Sequence, residues 1–338
     1  MDINALIQRL PKVELHVHIE GTLEPDQLFN FAYRNNVRVR YPSVEALRSA
    51  YEFENLQSFL DLYYEGTAVL VTEQDFYELT MAYLKKVADQ GVVHTEIFFD
   101  PQSHTHRGVA FTTIMNGIGR ALTEAEENFG ISSELILCFL RHLDEADAFE
   151  TLKQAEPYFD QIIAVGLDSS EKGNPPSKFE RVFAAARSNG LLTVAHAGEE
   201  GPPEYIWESL DMLHVSRIDH GVRCLKDSAL VDRLVSEKIP LTVCPLSNIR
   251  LGGFPNIHNH PLKKMLDEGL QVTINSDDPA YFGGYMTENF LSTQVALGLT
   301  LKDIVKLGHN AVDSAFITKN RRDILHAQID DLVNNDDL

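Results

Sequence analysis

Five short segments of the 338-residue chain place metal-binding or proton-transfer groups directly after apolar runs. They read Glu14-Leu15-His16-Val17-His18-Ile19-Glu20-Gly21, His196-Ala197-Gly198-Glu199, Asp219-His220-Gly221, Cys244-Pro245-Leu246-Ser247-Asn248 and Asn275-Ser276-Asp277-Asp278-Pro279. Side chains alternate along an extended strand, so His16 and His18 point to one face. Two imidazoles do not close a site. His196, at the end of another apolar run, is the natural third ligand. Of the adjacent acids Asp277 and Asp278, which point in different directions, one can hold a metal while the other faces a substrate. Three nitrogens and a carboxylate suit catalytic zinc, which keeps a position open for water. Glu199 is placed to shuttle protons beside such a water, and His220 to orient or deprotonate it. Taken singly these residues have plainer readings: a strand histidine is commonly structural, and an acidic pair before Pro279 can cap a turn. His104 and His106 also form a His-x-His, but in a polar loop where no strand fixes them, so they are assigned to structure.

Groups so far apart in the chain must be gathered by the elements that carry them. Eight apolar runs, at 13–15, 93–99, 134–140, 161–167, 191–195, 217–218, 241–243 and 272–274, read as strands. Most are continuous rather than alternating, as expected for parallel strands covered on both faces. Helical patterns separate them. Met115, Ile118, Leu122, Ala125 and Phe129 recur three or four apart, and Gly130 stops that helix. Ser177 and Glu180 form a capping-box pattern ahead of an apolar stripe that Gly190 ends; Pro261 opens a helix that Gly269 closes; Thr300 and Asp303 resemble a further cap. Eightfold strand–helix alternation predicts an α/β fold, a (β/α)8 TIM barrel, whose carboxyl-terminal face would collect the five polar clusters. Residues 24–90 exceed one crossover. The spacing of Leu56, Phe59, Leu60, Tyr63 and Tyr64 predicts extra helices inserted after the first strand, placed to act as a lid. The acidic stretch 330–338 is expected to fray. With no linker or repeat, residues 1–338 read as one metal-dependent domain.

Composition narrows the function further. With 29 basic and 50 acidic residues the net charge is −21, which argues against nucleic-acid binding and against an anionic membrane surface. A neutral or cationic small molecule fits that field better than a polyphosphate. Cys138, Cys224 and Cys244 are odd in number and lack CxxC spacing, as in a reduced protein. The opening residues carry no basic region followed by an apolar stretch, and no apolar run reaches the length of a membrane span. The expectation is a soluble, cytoplasmic enzyme, for which a homo-oligomer is compatible.

The full motif set resembles the adenosine and AMP deaminase group of the amidohydrolase superfamily. It comprises the first-strand His-x-His with its acid and Gly21, His-Ala-Gly-Glu, Asp-His-Gly, Cys-Pro-x-Ser-Asn and Ser-Asp-Asp-Pro. The resemblance implies one zinc on His16, His18, His196 and Asp277. It also implies Glu199 as proton donor to a purine, His220 as activator of the attacking water, and Asp278 taking a hydrogen bond from the base near N7. No Lys directly follows the fourth strand, so a carbamate-bridged second metal is not expected. Departures within the group point to its adenine deaminase branch. Glu20 replaces a shorter Asp, and Gly166-Leu167-Asp168-Ser169-Ser170-Glu171 replaces a Gly-Asp-Glu stretch. Phe98-Phe99-Asp100-Pro101-Gln102 is similar to that branch too. The longer acids Glu20 and Glu171 are expected to fill the volume of a ribose. The implied reaction is zinc-dependent hydrolysis of adenine to hypoxanthine and ammonia in purine salvage, the purine being the small-molecule partner. Adenosine or N6-substituted adenine (cytokinin) as substrate, a generic metal-dependent ester or amide hydrolase, and a non-catalytic purine- or metal-binding barrel are the alternatives. A His-x-Glu zinc deaminase of the other design is excluded, because its Pro-Cys-x-x-Cys half is missing.

Overall fold

A computed structural model describes residues 2–334. Eight parallel strands pair in chain order: β1 (Lys12–His18), β2 (Val92–Phe99), β3 (Ser132–Leu140), β4 (Ile162–Asp168), β5 (Leu192–Ala197), β6 (Arg217–His220), β7 (Pro240–Val243) and β8 (Gln271–Ile274). Helices cover them from outside, so most strand residues are buried on both faces, including polar ones such as Glu14, Glu96 and Arg217. The result is the expected (β/α)8 barrel. β1 and β8 meet through a bridge between Val17 and Asp277, with Asp277 N–H donating to the His16 carbonyl and His18 N–H to the Asp277 carbonyl, each at 3.0 Å. An expected metal ligand therefore closes the barrel with its own backbone.

Four strands run further at their carboxyl ends than their apolar stretches, β4 by the single residue Asp168. β1 continues through His16 and His18, β5 through His196, and β6 through Asp219 and His220. These polar groups occupy the last positions of the strands rather than the loops after them. Inside the barrel, Phe98, Ile136, Cys138, Ala164 and Val194 form an apolar layer, and the Phe98 ring lies 4.9 Å from that of His16.

Helix α1 (Ile3–Arg9) precedes β1; α2 (Pro25–Arg34), α3 (Val44–Ser49), α4 (Leu56–Thr67) and α5 (Glu73–Ala88) fill the stretch between β1 and β2. A reciprocal cap between Asn55 and Ser58 starts α4. Phe59 then packs against Phe282, ring centroids 4.7 Å apart, fixing α4 over the carboxyl-terminal face. The helices Phe111–Phe129, ended by left-handed Gly130, and Leu301–Ser314, capped by Thr300 and Asp303, match their sequence patterns. Two expectations change. Pro175 and Pro176 lead into a 3₁₀ turn, Pro176–Phe179, so Ser177 caps nothing and its N–H donates to Glu208 at 3.0 Å. The acidic 330–338 stretch is helical as far as Asn334, because Leu325 and Ile329 of the same helix are buried; 335–338 lie outside the described residues. Among the described residues no helix is long and apolar enough to cross a membrane.

Candidate active site

The four donors that open the sequence argument meet at one point. Ligand atoms of His16, His18, His196 and Asp277 lie within 4.8 Å of one another, all buried. His16 Nε2 and His18 Nε2 stand 3.2 and 3.5 Å from Asp277 Oδ1, and His18 Nε2 is 3.2 Å from His196 Nε2. Neighbours fix how the rings present themselves. The Thr242 hydroxyl donates to Asp219 at 2.8 Å, which leaves its oxygen to accept from His16 Nδ1 at 2.9 Å. Asp219 also faces His196 Nδ1, and Asp168 faces His18 Nδ1, each at 3.5 Å. With acceptors at all three Nδ1 atoms, the bare Nε2 lone pairs converge. His16 Nε2 has no hydrogen-bond partner among the described residues, although it is buried. Burial holds His18 down at about 3 and His196 well below the ordinary range, so both are neutral. Burial would raise Asp277, but His16, His220 and His18 carry it well below the carboxylate range. Neutral imidazoles with an ionised carboxylate are the donor set a divalent metal requires.

A cleft enclosing about 370 Å³ opens on this centre, lined also by Glu199, His220 and Asp278 and walled by Leu56, Phe59, Leu60, Tyr63 and Tyr64 of α4. The structure thus brings all seven sequence-selected residues to one place. Burial, then Asp277 and Glu171, raises Glu199 well above its ordinary value; burial and Asp277 do the same to Asp278. Both carboxyls are thereby biased towards the protonated form. A directed chain sets His220. Leu262 N–H donates to His260 Nδ1 at 3.2 Å, His260 Nε2–H to Asn248 Oδ1 at 3.1 Å, and Asn248 Nδ2–H to His220 Nδ1 at 3.3 Å. His220 therefore turns its Nε2–H towards Glu199 and Asp277, 3.6 and 3.7 Å away. Burial lowers this imidazole to about 3. His220, Asp277 and Ser169 have φ of 63°, 67° and 74°, left-handed conformations that cluster on this cleft.

Gly21 explains its own place in the first motif: a Cβ there would overlap the Asp278 carboxylate. Glu20 and Glu171, expected to fill the space of a sugar, line no part of the cleft. Glu20 accepts from Asp100 N–H at 3.1 Å and pairs with His104 Nε2 at 2.8 Å. Glu171 accepts the backbone N–H groups of Gly198, Glu200 and Gly201 at 2.6, 2.8 and 2.6 Å, clamping the loop that carries Glu199. Asp219, Asp168, Asp100 and Asn248 stand inside the sequence motifs, but sequence reasoning gave none of them a role, nor one to His260. Asp219 adjoins His220 in a recognised motif, the one signal available for it.

An adenosine deaminase family model matches residues 11–332. An adenine deaminase of Acinetobacter baylyi is 58% identical over 322 residues, 95% of this chain and 97% of that one. The crystal structure of an adenine deaminase from Arthrobacter aurescens superposes with a TM-score of 0.95 at 51% identity, covering 96% of this chain and 99% of that one. A zinc-bound amidohydrolase from Burkhoderia ambifaria gives a TM-score of 0.91 at 25% identity, with 99% and 95% covered.

Proposed function

The chain belongs to the adenosine deaminase family, and from that membership and the site's geometry we propose that it is an adenine deaminase. It hydrolyses adenine to hypoxanthine and ammonia. The observation that carries this reading is one cleft shared by Glu199, His220, Asp278 and the four converging donors, in a chain that adenine deaminases match over nearly its whole length. We assign the four donors, His16, His18, His196 and Asp277, to one zinc ion per chain, because three imidazoles and a carboxylate are the set zinc takes while keeping a place for water. Bound there, zinc lowers the pKa of its water towards about 7, making hydroxide available at neutral pH.

The remaining chemistry belongs to this chain's side chains. Glu199, kept protonated by burial, donates to ring N1 and releases its proton there as oxygen adds at C6. The carboxylate so formed takes the proton of the added hydroxyl and returns it to the amino nitrogen, which leaves as ammonia. The proton lost when the attacking water ionises restores the acid form of Glu199, so one water and one adenine give hypoxanthine and ammonia. His220 offers Nε2–H, so it holds the incoming oxygen in line rather than removing its proton. N7 of adenine that carries its hydrogen at N9 is an acceptor. Asp278, whose pKa burial and Asp277 raise, therefore donates to it as the acid, the reverse of the direction the family resemblance implies. The apolar face of α4 keeps bulk water from the reacting atoms.

Ammonia release from adenine, adenosine and an N6-alkyladenine by zinc-loaded protein tests the reading. Adenine is expected to show the highest kcat/KM; a preference for adenosine would overturn it. We also infer a cytoplasmic setting, in which the buried free thiols Cys138, Cys224 and Cys244 stay reduced.

A further inference from the structure

We propose that Asp100 selects the free base over its nucleoside by accepting the hydrogen that adenine carries at N9. The inference rests on the reaction proposed above and supplies the reason for its substrate. Adenine and adenosine share every atom that Glu199 and Asp278 would touch. They differ at N9, where the base has a hydrogen and the nucleoside has a sugar. Discrimination therefore has to act on that edge of the ring, on the side away from C6.

The wall available there is acidic and short of donors. Asp100, 2% exposed just past the end of β2, lines the cleft beside Asp168 and Tyr63. Its Oδ2 accepts from the Tyr63 hydroxyl at 3.3 Å, while Oδ1 has no hydrogen-bond partner among the described residues. Asp168 Oδ1 is equally bare, and its Oδ2 is engaged by His18 Nδ1 at 3.5 Å. Asp168 and Asp100 each bring an oxygen within 4.8 Å of the other and of His18, so the two carboxyls together hold more acceptor sites than donors. A buried acceptor left unmatched is costly, and an N–H from the ligand relieves it. The Asp100 backbone is fixed by Glu20, and Glu20 by His104. The family's acid after the His pair thus acts here one residue removed, by holding Asp100 in position. A base with C6 at the four donors and its N1 and N7 edges at Glu199 and Asp278 turns N9 towards what remains of the polar lining, which is this wall. Glycosylation removes the only hydrogen it could receive and sets a sugar against two carboxyls.

Initial rates on zinc-loaded wild-type, Asp100→Asn and Asp100→Ala proteins with adenine and 9-methyladenine test the assignment, with metal content and melting temperature as controls. A site built around a donor rejects a ligand lacking it, so wild type is expected to favour adenine by about 1,000-fold or more in kcat/KM. Asp100→Asn keeps the volume but loses the charge; adenine is expected to fall about 10- to 100-fold, mainly through KM, with 9-methyladenine held within about threefold. Asp100→Ala is expected to bring the two substrates closer still. Equal losses on both substrates, or unchanged adenine kinetics in Asp100→Asn as simple steric exclusion requires, would overturn the proposal. If the variants fail to fold, competition between purine and 9-methylpurine for wild-type protein decides, with equal affinities counting against Asp100. That competition needs no turnover, so it separates this inference from the reaction itself, which ammonia release from adenine and adenosine tests.

Discussion

Glu199 and Gly21 show how a single position governs this chemistry. In the proposed reaction the Glu199 carboxyl must begin protonated, a state that burial and nearby Asp277 favour by raising its pKa. Because the active form is the acid and its pKa is raised, activity is expected to hold through neutral pH and fall as pH rises through that raised value. Glu199→Gln keeps a hydrogen-bonding group but has no proton to give, so zinc should stay bound while kcat falls about 100- to 10,000-fold, with loss of the alkaline limb in whatever rate remains. Metal analysis beside a pH profile checks both; a variant of normal activity would remove Glu199 from its role. Gly21 contributes by lacking a side chain. Its Cβ would occupy the space of Asp278 Oδ1, so Gly21→Ala should displace the N7 donor and raise the KM for adenine about tenfold or more, with unchanged zinc content. Unaltered KM would mean that Asp278 yields without consequence.

Among the elements, the loop from Gly198 to Gly201 shows what spacing conceals. Its backbone amides converge on Glu171, which lies 27 to 30 residues earlier in the chain. A Cβ at Gly201 would overlap the Glu171 carboxylate, so the clamp is built from both sides. Replacing Glu171 by Gln turns an amide N–H towards backbone N–H groups and loosens Glu199, and small misplacements of a reacting group cost up to about 100-fold in rate. Glu171→Gln is therefore expected to lower kcat about 10- to 100-fold with KM for adenine nearly constant; a silent substitution would restore the space-filling role that sequence reasoning assigned it. The strands themselves were legible because barrel strands are apolar runs between helices. Their carboxyl-terminal ends were not, since the polar residues at 16, 18, 196, 219 and 220 interrupt the apolar signal while continuing the ladder. His16, His18 and His196 could be read together from residue type and strand phase, whereas the choice of Asp277 over Asp278 came only with the family resemblance. Asp219 could not, because its partners His16, His196 and Thr242 sit on three other strands and nothing in local spacing records a contact across the barrel.

Across the whole molecule, the proposed metal site and the seam of the barrel share their residues. β1 and β8 share a ladder only through Asp277, whose N–H and carbonyl both bond to β1 and whose carboxylate faces His16 and His18. Elsewhere neighbouring strands pair along two to six residues, two between β4 and β5 and six between β3 and β4. Removing the metal would leave buried donors such as His16 Nε2 without a partner at the weakest join in the sheet. An ion present at about 1,000 times its Kd stabilises the folded state by about 4 kcal/mol. At the entropy of unfolding usual for domains, that corresponds to a Tm lowered by about 5–10 °C in chelator and recovered with added zinc. The loss should be uneven. Amide exchange at His18 and Asp277, the two bonds of the seam, is expected to accelerate in the metal-free protein, while Leu137 and Val165 in the β3–β4 ladder keep their protection. Hydrogen exchange read by mass spectrometry on both forms checks this directly. Uniform loss across the sheet would mean that the ion supports the fold as a whole; no change at the seam would mean that the four side chains hold their places without it.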